Sequence, residues 1–396
     1  MIPRTLSQKL RKLASQYPVV TITGPRQSGK TTLVRAEFPE YRYISLENPD
    51  YRQLALEDPR GFLRPLKSGV ILDEVQRVPD LFSYIQTIVD ENDQPGAFVL
   101  TGSQNFLLLE RISQSLAGRT AILHLLPLSK RELFRQSPLN PDDFPSVSVS
   151  KAEHPGVWEM LFKGFYPRIH DKNLDPTEWY AWYYQTYVER DVRSILNIGD
   201  LDAFVRFVRL CAGRNGQLVN FSTLAADAGI SHSTAKRWLS ILQAGFIIAL
   251  LQSHHENFRK RLVKSPKLYF LDSGLLSFLL GIKSAEELQF HAMRGSVFES
   301  FVFSELYKMY AHVGQIPPVY FWRDAKGHEV DFIIERGNKR VIIDVKSGET
   351  INADYFKGLK YYQQLAGDKV DQSLLVYGGF EHFVRKEITI LPWYML

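Results

Sequence analysis

A glycine-rich segment near the N-terminus constrains the fold of this 396-residue chain more than any other feature. Residues 18–23 (PVVTIT) are apolar and β-branched, residues 24–31 read GPRQSGKT, and residues 32–38 can continue as a helix. This order of strand, G-x-x-x-x-G-K-T and helix is the context that a P-loop requires. Its glycines let successive N–H groups point into one concavity, where the helix N-terminus adds a positive dipole. We therefore predict a phosphate site in a parallel α/β sheet; the alternative is a strand–helix turn without a ligand.

The side chains of this loop have separate predicted roles. Lys30 supplies a positive charge to the β- and γ-phosphates of a nucleotide, and the hydroxyl of Thr31 holds Mg²⁺. The other residues of the loop are also expected to contact the nucleotide. The predicted nucleotide-binding residues are Gly24, Pro25, Arg26, Gln27, Ser28, Gly29, Lys30, Thr31 and Thr32.

Two further apolar strands are predicted to end in polar residues at the same edge of the sheet. Residues 69–72 (GVIL) lead into Asp73 and Glu74, and residues 97–101 (AFVLT) lead into Ser103. Acids at the carboxyl end of a parallel strand face the ligand crevice, so Asp73 is expected to anchor Mg²⁺ and Glu74 to deprotonate the attacking water. Ser103 is the first choice for a residue that senses the γ-phosphate and Asn105 the second, with an ordinary polar loop as the alternative.

These segments together resemble the AAA+-like ATPases of bacteria and archaea. That family carries a GPRQxGKTT loop, a hydrophobic-DEVQ motif, an LTGS strand and an LAGR segment, which here occupy residues 24–32, 71–76, 100–103 and 116–119. The resemblance covers about the first third of the chain and implies ATP as substrate with Mg²⁺. It also implies an arginine finger acting on a neighbouring copy in a homo-oligomer, with Arg119 as the candidate and Arg111 as the alternative. No lid domain or second sensor arginine is evident.

The middle of the chain is predicted to be helical and basic. Residues 137–155 are rich in Pro, Ser and Asp, which marks a boundary, and the aromatic residues that follow indicate a helical connector. Residues 221–239 have the pattern of a helix-turn-helix, with Ser222 and Ser231 as N-caps and Gly229 in the turn. The segment 258–264 (FRKRLVK) between two apolar strands then predicts the wing of a winged helix.

Charge in this region exceeds that of the whole chain. Residues 201–265 contain nine Lys or Arg and three Asp or Glu, a difference of 9 − 3 = +6, whereas the formal charge of the chain is +5. Such a patch suits contact with the phosphate backbone of DNA. The alternative is a winged helix used for protein contacts. The predicted DNA-binding residues are Lys236, Arg237, Arg259, Lys260 and Arg261.

The C-terminal region contains the pattern of a nuclease site. Glu299 lies on a predicted helix of residues 295–310, Asp331 on a strand of residues 329–335, and Asp344 and Lys346 end a strand of residues 340–346. This arrangement resembles the PD-(D/E)xK nuclease fold, in which adjacent carboxylates hold Mg²⁺ and a lysine two residues along faces the same water. The alternative is a nuclease-like domain that does not cut.

We therefore expect an Mg²⁺-dependent ATPase whose nucleotide state controls contact with DNA. An ATP-gated nuclease and an ATP-regulated protein scaffold are the alternatives. The single cysteine, Cys211, excludes an intramolecular disulfide and favours the cytoplasm, and the most apolar run, residues 244–251, is far shorter than the roughly 20 residues that cross a bilayer. The expected divisions are an AAA+-like ATPase domain (1–145), a helical linker (146–200), a winged helix-turn-helix (201–282) and a nuclease-like α/β domain (283–396).

Overall fold

A computed structural model describes residues 2–66, 68–103, 115–145, 156–189, 201–254 and 265–396. Within these residues the N-terminal part contains five parallel strands in the order β2-β3-β4-β1-β5. The predicted parallel α/β sheet is thus confirmed. All the carboxyl ends of its strands lie along one edge, where ligands of such sheets bind. The strands are β1 (Val19–Thr23), β2 (Arg42–Ser45), β3 (Val70–Asp73), β4 (Phe98–Gly102) and β5 (Thr120–His124).

Helices cover both faces of this sheet, so β1, β3 and β4 are buried along their whole length and consist mostly of apolar residues. The first helix buries Leu6, Leu10 and Ala14, which recur every four residues on one of its faces. These three residues share a core with Leu33 and Val34 of the helix that follows the P-loop. The helices are α1 (Leu6–Ala14), α2 (Lys30–Glu37), α3 (Pro49–Glu57), α4 (Pro59–Leu63), α5 (Leu81–Glu91) and α6 (Lys130–Leu133).

Short helices occupy the region predicted to be a helical connector. Their aromatic side chains include Tyr166 and Tyr180, which are fully buried and pack against one another and against Trp179. The connector is therefore part of a packed core and does not run free between domains. Its described helices are α7 (Val157–Lys163), α8 (Pro167–Asp171) and α9 (Pro176–Tyr183), followed by a π-helical turn at Tyr184–Glu189.

A helix-turn-helix pair lies where the sequence predicts one. Gly229 adopts a left-handed φ of 73° after the first helix, and the Ser231 hydroxyl accepts the Thr234 N–H to cap the second. The predicted cap Ser222 is wrong, because the first helix begins at Phe221 and the side chain of Asn220 caps it. The elements are α10 (Leu201–Gly213), α11 (Phe221–Ala228), α12 (His232–Ala244), and the antiparallel strands β6 (Ile248–Leu251) and β7 (Lys267–Phe270).

A mixed sheet forms the C-terminal part, with six strands in the order β12-β13-β11-β10-β9-β8 among the described residues. Alternate residues of its strands contact different helices, because successive side chains of a strand point to opposite faces. Phe332 and Ile334 share a core with the long helix α15, whereas Ile333 packs with α16 on the other face. The strands are β8 (Val319–Arg323), β9 (Glu329–Arg336), β10 (Lys339–Lys346), β11 (Val370–Tyr377), β12 (Phe383–Arg385) and β13 (Ile388–Pro392). The helices are α13 (Ser273–Leu279), α14 (Ala285–Phe290), α15 (Arg294–Ala311) and α16 (Lys357–Ala366).

One apolar core joins the helical region to the C-terminal sheet. It includes Leu128 beyond the first sheet, Phe204 and Trp238 of the helix-turn-helix region, and Trp393 near the end of the chain. In the part of the chain that is described, no helix is both long enough and apolar enough to cross a lipid bilayer.

Candidate active site

The P-loop connects β1 to α2 through backbone conformations that favour glycine. Gly24 has a φ of 152°, and a Cβ atom there would lie 2.1 Å from the carbonyl oxygen of Leu125. Gly29 has a φ of 95° and immediately precedes α2, which begins at Lys30. The first N–H groups of α2 have no partner within the helix, so they are available to an anion at this turn.

The Lys30 side chain is buried beneath the loop. Its ammonium group donates hydrogen bonds to the carbonyl oxygens of Gly24, at 2.9 Å, and Pro25, at 2.8 Å. Burial lowers the pKa of Lys30 to about 8, although the charges of Glu74 and Asp73 oppose the shift. A bound phosphate would add a negative charge beside this ammonium and favour its protonated form.

Asp73 ends β3 and lies among hydroxyl groups. Thr31 Oγ1 lies 3.1 and 3.0 Å from its two carboxylate oxygens, the Tyr43 hydroxyl donates to it at 2.7 Å, and Thr101 donates to it as well. Burial, and then the hydrogen bond to Asp73, raise the pKa of Tyr43 to about 12. A hydroxyl and a carboxylate in contact are oxygen donors of the kind that Mg²⁺ prefers, so the predicted pair Thr31 and Asp73 fits this ion. The sequence reasoning missed Tyr43, which no motif marks, and Thr101, which lies within the LTGS motif but was given no role of its own.

Glu74 follows Asp73 in a left-handed conformation, with φ 56° and ψ 44°. Such a backbone is uncommon for a residue other than glycine and turns the side chain away from the strand direction. Its Oε2 atom accepts hydrogen bonds from Ser103 Oγ, at 2.9 Å, and from the Gln76 amide. The structure thus brings together the predicted base and the predicted sensing residue. Asn105, the second choice for sensing, lies outside the described residues.

A cavity of about 850 Å³ opens beside the P-loop. On the side of the loop, the residues that line the cavity include Arg26, Gln27, Gly29, Thr32 and Glu74. Residues 2–5 of the N-terminal segment line another side. Helix α8 and the residue after it contribute Arg168 and Lys172. These two cations lie about 140 residues after the loop in sequence. Sequence reasoning missed them, since no local pattern marks a helix that folds back over the P-loop.

Arg119 does not reach the P-loop of its own chain. Its carbonyl oxygen accepts the N–H of Val19, the first residue of β1, whereas the P-loop follows the last residue of that strand. Its guanidinium pairs with Asp90, with Nη2 2.9 Å from Oδ2. Only contact with a second copy would therefore bring this side chain to a nucleotide. The alternative finger, Arg111, lies outside the described residues.

The four residues of the predicted nuclease pattern lie together on α15, β9 and β10. The Asp331 N–H donates to Asp344 Oδ1 at 3.2 Å, the Val345 N–H donates to Asp331 Oδ2 at 2.8 Å, and Lys346 Nζ lies 4.0 Å from the same oxygen. Burial, and then the charge of Asp331, raise the pKa of Asp344 and bring that of Glu299 to about 7.

A lysine that the sequence reasoning missed lies within this cluster. The ammonium of Lys267, on β7, is 3.5 Å from Glu299 Oε1 and 3.9 Å from Asp331 Oδ1, and it pairs with Glu329. Across the described ranges, no group of three or more His, Cys, Asp or Glu side chains is arranged to hold a metal ion. The residues present therefore do not fit the Mg²⁺ of the predicted nuclease site, because the ammonium of Lys267 already lies beside two of its carboxylates, those of Glu299 and Asp331.

The predicted DNA-binding residues that are described lie on one exposed face of α12. Lys236 and Arg237 are both exposed, and Lys236 Nζ lies 5.6 Å from the centre of the Phe221 ring. Other cations of the basic window have partners within the protein: Arg206 donates to the Ala228 carbonyl, and Arg214 pairs with Asp227. Arg259, Lys260 and Arg261 lie outside the described residues.

Comparison with known proteins agrees with this arrangement. A family model described as an AAA domain matches residues 16–134. Two models described as domains of unknown function match residues 155–286 (DUF8612) and 294–396 (DUF4143). Uncharacterised proteins of Mycobacterium tuberculosis and Mycobacterium bovis are each 32% identical to this chain over 351 residues, which cover 88% of this chain and 74% of the relative.

Solved structures with partial likeness include one archaeal and one bacterial protein. The Walker-type ATPase of Pyrococcus abyssi is 16% identical with a TM-score of 0.39, over 70% of this chain and 96% of that one. The RuvB protein of Thermotoga maritima is 19% identical with a TM-score of 0.31, over 62% of this chain and 88% of that one. On sequence, the chain belongs to the same family as the two uncharacterised mycobacterial proteins, with an AAA-like P-loop domain in its N-terminal part and a C-terminal domain of unknown function.

Proposed function

We propose that this protein hydrolyses ATP at the P-loop with the help of Mg²⁺, and that its nucleotide state controls contact with DNA. The observation that carries the first part is the continuous contact between the loop and the ends of β3 and β4. Thr31 touches Asp73, and Ser103 touches Glu74 at the same sheet edge. A phosphate seated at Lys30 would thus meet a metal ligand, a base and a polar sensing group together.

The residues of this site have distinct roles in the proposal. Residues 24–32 hold the phosphates, and Lys30 leaves its loop carbonyl partners to pair with the γ-phosphate. Thr31 and Asp73 hold Mg²⁺, which when bound neutralises charge on the phosphate oxygens. Glu74 accepts the proton of the attacking water, and Ser103 holds the carboxylate in place until the nucleotide is seated. Arg119 acts on the nucleotide of a second copy within a homo-oligomer.

Replacing Glu74 with glutamine tests this assignment. The amide keeps the size of the side chain and removes the base, so Mg²⁺-dependent ATP turnover falls while nucleotide binding persists. Glu40→Gln, at an exposed glutamate outside the site, serves as the matched control. Equal turnover in the two variants would contradict the assignment of Glu74 as the base.

The second part of the proposal assigns DNA contact to a winged helix formed by α10, α11, α12, β6 and β7. The exposed cations of α12 follow directly on a capped helix N-terminus, and such a helix can enter the major groove with its first turns. The scaffold alternative uses the same surface for a protein and predicts no response to DNA. Metal-dependent cutting is the weaker candidate, because Lys267 lies among the carboxylates that would hold the metal.

Reversing the charge of α12 distinguishes DNA contact from the scaffold function. The double substitution Lys236→Glu and Arg237→Glu removes two phosphate partners. Because fewer counterions are then released, we expect duplex DNA affinity to fall roughly tenfold or more at about 50 mM salt and to depend less steeply on salt concentration. The control reverses two exposed lysines elsewhere, Lys283→Glu and Lys357→Glu. Fluorescence anisotropy measures both variants, and equal affinity in the two would contradict DNA contact through α12.

A further inference from the structure

The side chain of Lys267 is a deeply buried cation in contact with three carboxylates of the C-terminal region. Residue 267 is 3% exposed, yet its ammonium group carries a charge that must be balanced locally. Glu299 of α15, and Glu329 and Asp331 of β9, surround it. These carboxylates remain partly accessible, with 16 to 25% of each side chain exposed. The cation is therefore more deeply buried than any of its partners.

Neighbouring groups close the cluster around that ammonium. The Tyr269 hydroxyl, two residues along β7, donates a hydrogen bond to Glu299 Oε1. Gly216 lies against Glu299 from the loop after α10, where an added Cβ would be 3.6 Å from Oε2. On the far side Gly358 of α16 packs so tightly that a Cβ would lie 2.3 Å from the Glu329 carbonyl oxygen. Helices and strands from both regions thus shape the site around one cation.

The chemistry of the site accounts for an ammonium at its centre. Three acidic side chains converge on one point, and their mutual repulsion would be unfavourable without a positive charge between them. A primary ammonium offers three N–H donors that can be shared among carboxylates from different directions. Its Nζ also lies 5.6 Å from the centre of the Phe321 ring.

We infer that the C-terminal carboxylate cluster, formed by Glu299, Glu329 and Asp331, is a binding site for the ammonium of Lys267, which lies where Glu299 and Asp331 of the predicted nuclease site would hold a divalent cation. While β7 packs against β9, the cluster does not take up Mg²⁺ or Mn²⁺. Lys267 also fastens the helical region to the C-terminal sheet, because its partners lie on α15 and β9. This inference stands apart from ATP hydrolysis, since none of these residues belongs to the P-loop site.

Binding of Mn²⁺ to the nucleotide-free full chain tests the inference. In Lys267→Met the carboxylates lose their cation, so we expect one Mn²⁺ more per chain than in the wild type. The affinity of the cluster for Mn²⁺ should be at least about tenfold higher in this variant than in the wild type. Electron paramagnetic resonance counts free Mn²⁺ directly. The additional ion is expected to disappear in Lys267→Met combined with Asp331→Asn. Any Mn²⁺ held by Thr31 and Asp73 is common to all variants and cancels in the comparison.

Two further variants keep the result decisive if Lys267→Met does not fold, as checked by circular dichroism and thermal unfolding. Lys267→Arg retains a cation and is expected to bind no more Mn²⁺ than the wild type. Asp331→Asn in the wild-type background is expected to leave the Mn²⁺ stoichiometry unchanged. Loss of one Mn²⁺ from the wild type on Asp331→Asn would overturn the inference, as would a folded Lys267→Met with no additional ion.

Discussion

Single buried charges tie the P-loop to the rest of the molecule. The guanidinium of Arg4 donates to the Ser28 carbonyl at 2.7 Å, and its Nε lies 3.2 Å from Glu132 Oε2. The Thr5 N–H donates to the other oxygen of Glu132 at 2.7 Å, and His312 Nδ1 lies 3.4 Å from it. The conformation of the loop is therefore connected through Arg4 to a carboxylate that is almost completely buried.

The shifted pKa values of Glu132 and His312 make the stability of the fold depend on pH. Burial by itself raises the pKa of Glu132, but the charges of Arg4 and His312 and two backbone donors outweigh it and lower the pKa from 4.5 to about 2. Burial lowers the pKa of His312 from 6.5 to about 4. Because the pKa of Glu132 is lower in the folded than in the unfolded chain, its carboxylate stabilises the fold at pH values above the unfolded pKa. This stabilisation is lost as the pH falls from 4.5 towards 2. The buried, neutral imidazole of His312 also stabilises the fold at neutral pH, and this stabilisation is lost as the pH falls from 6.5 to 4.

Glu132→Gln is expected to lower the free energy of unfolding at pH 7 by roughly 3 kcal/mol, because Arg4 loses its buried partner. The difference in the free energy of unfolding between variant and wild type should shrink below pH 4.5, because the stabilisation by the wild-type Glu132 carboxylate is then progressively lost. Urea unfolding followed by circular dichroism at pH 7 and pH 4 measures both values, with Glu40→Gln as an exposed control. A difference that stays constant from pH 7 to pH 4 and below would contradict a charged Glu132.

At the scale of helices and strands, the predictable features were those that short-range patterns specify. The strand, P-loop and helix of residues 19–37 occupy the predicted order, because each step depends on adjacent residues. The hairpin of residues 329–346 likewise brings Asp331 beside Asp344, since its register pairs their neighbours Phe332 and Ile343. The cap of α11 was misassigned by two residues, because both Asn220 and Ser222 are good caps and only the backbone bend decides between them.

Elements that meet from distant parts of the chain were not predictable. Lys267 occurs in the segment KLYF, which reads as a buried strand and contains nothing that points to carboxylates more than 30 residues away. Helix α8 is only five residues long, and its packing over the P-loop follows from the shared aromatic core around Tyr166. Such contacts depend on tertiary packing, which hydrophobic periodicity does not encode.

Helix α8 makes a prediction of its own. Arg168 is exposed, and it lines the cavity beside the P-loop. A cation there would stabilise a bound triphosphate, so Arg168→Ala is expected to weaken ATP binding by about five- to tenfold, the effect of one charge-assisted contact. Arg60→Ala, at an exposed arginine of α4, is the control. Calorimetric titration with a non-hydrolysable ATP analogue measures the affinities, and equal values for the two variants would exclude a contact from α8.

At the scale of the whole molecule, the two sheets are connected by buried polar contacts. Lys308 of α15 donates to the Leu128 carbonyl at 2.9 Å, and Glu305 of the same helix accepts the N–H of Lys130 at 2.8 Å. Lys130 also donates to the carbonyl of Tyr394 near the C-terminal end. The segment that follows the first sheet therefore contacts α15 directly, and α15 also carries Glu299 of the C-terminal cluster. Charge counting alone could not reveal these connections, because it treats all cations as exposed.

Phosphate release by the wild type and by Glu74→Gln at saturating Mg-ATP shows whether the P-loop site hydrolyses ATP with Glu74 as the base. We expect steady turnover in the wild type and a fall of at least about 100-fold in the variant, the range expected on loss of a general base. Nucleotide affinity, measured on the same samples, should remain within about threefold. A wild type that binds ATP without releasing phosphate would exclude hydrolysis at this site, and a variant that turns over at the wild-type rate would exclude Glu74 as the base.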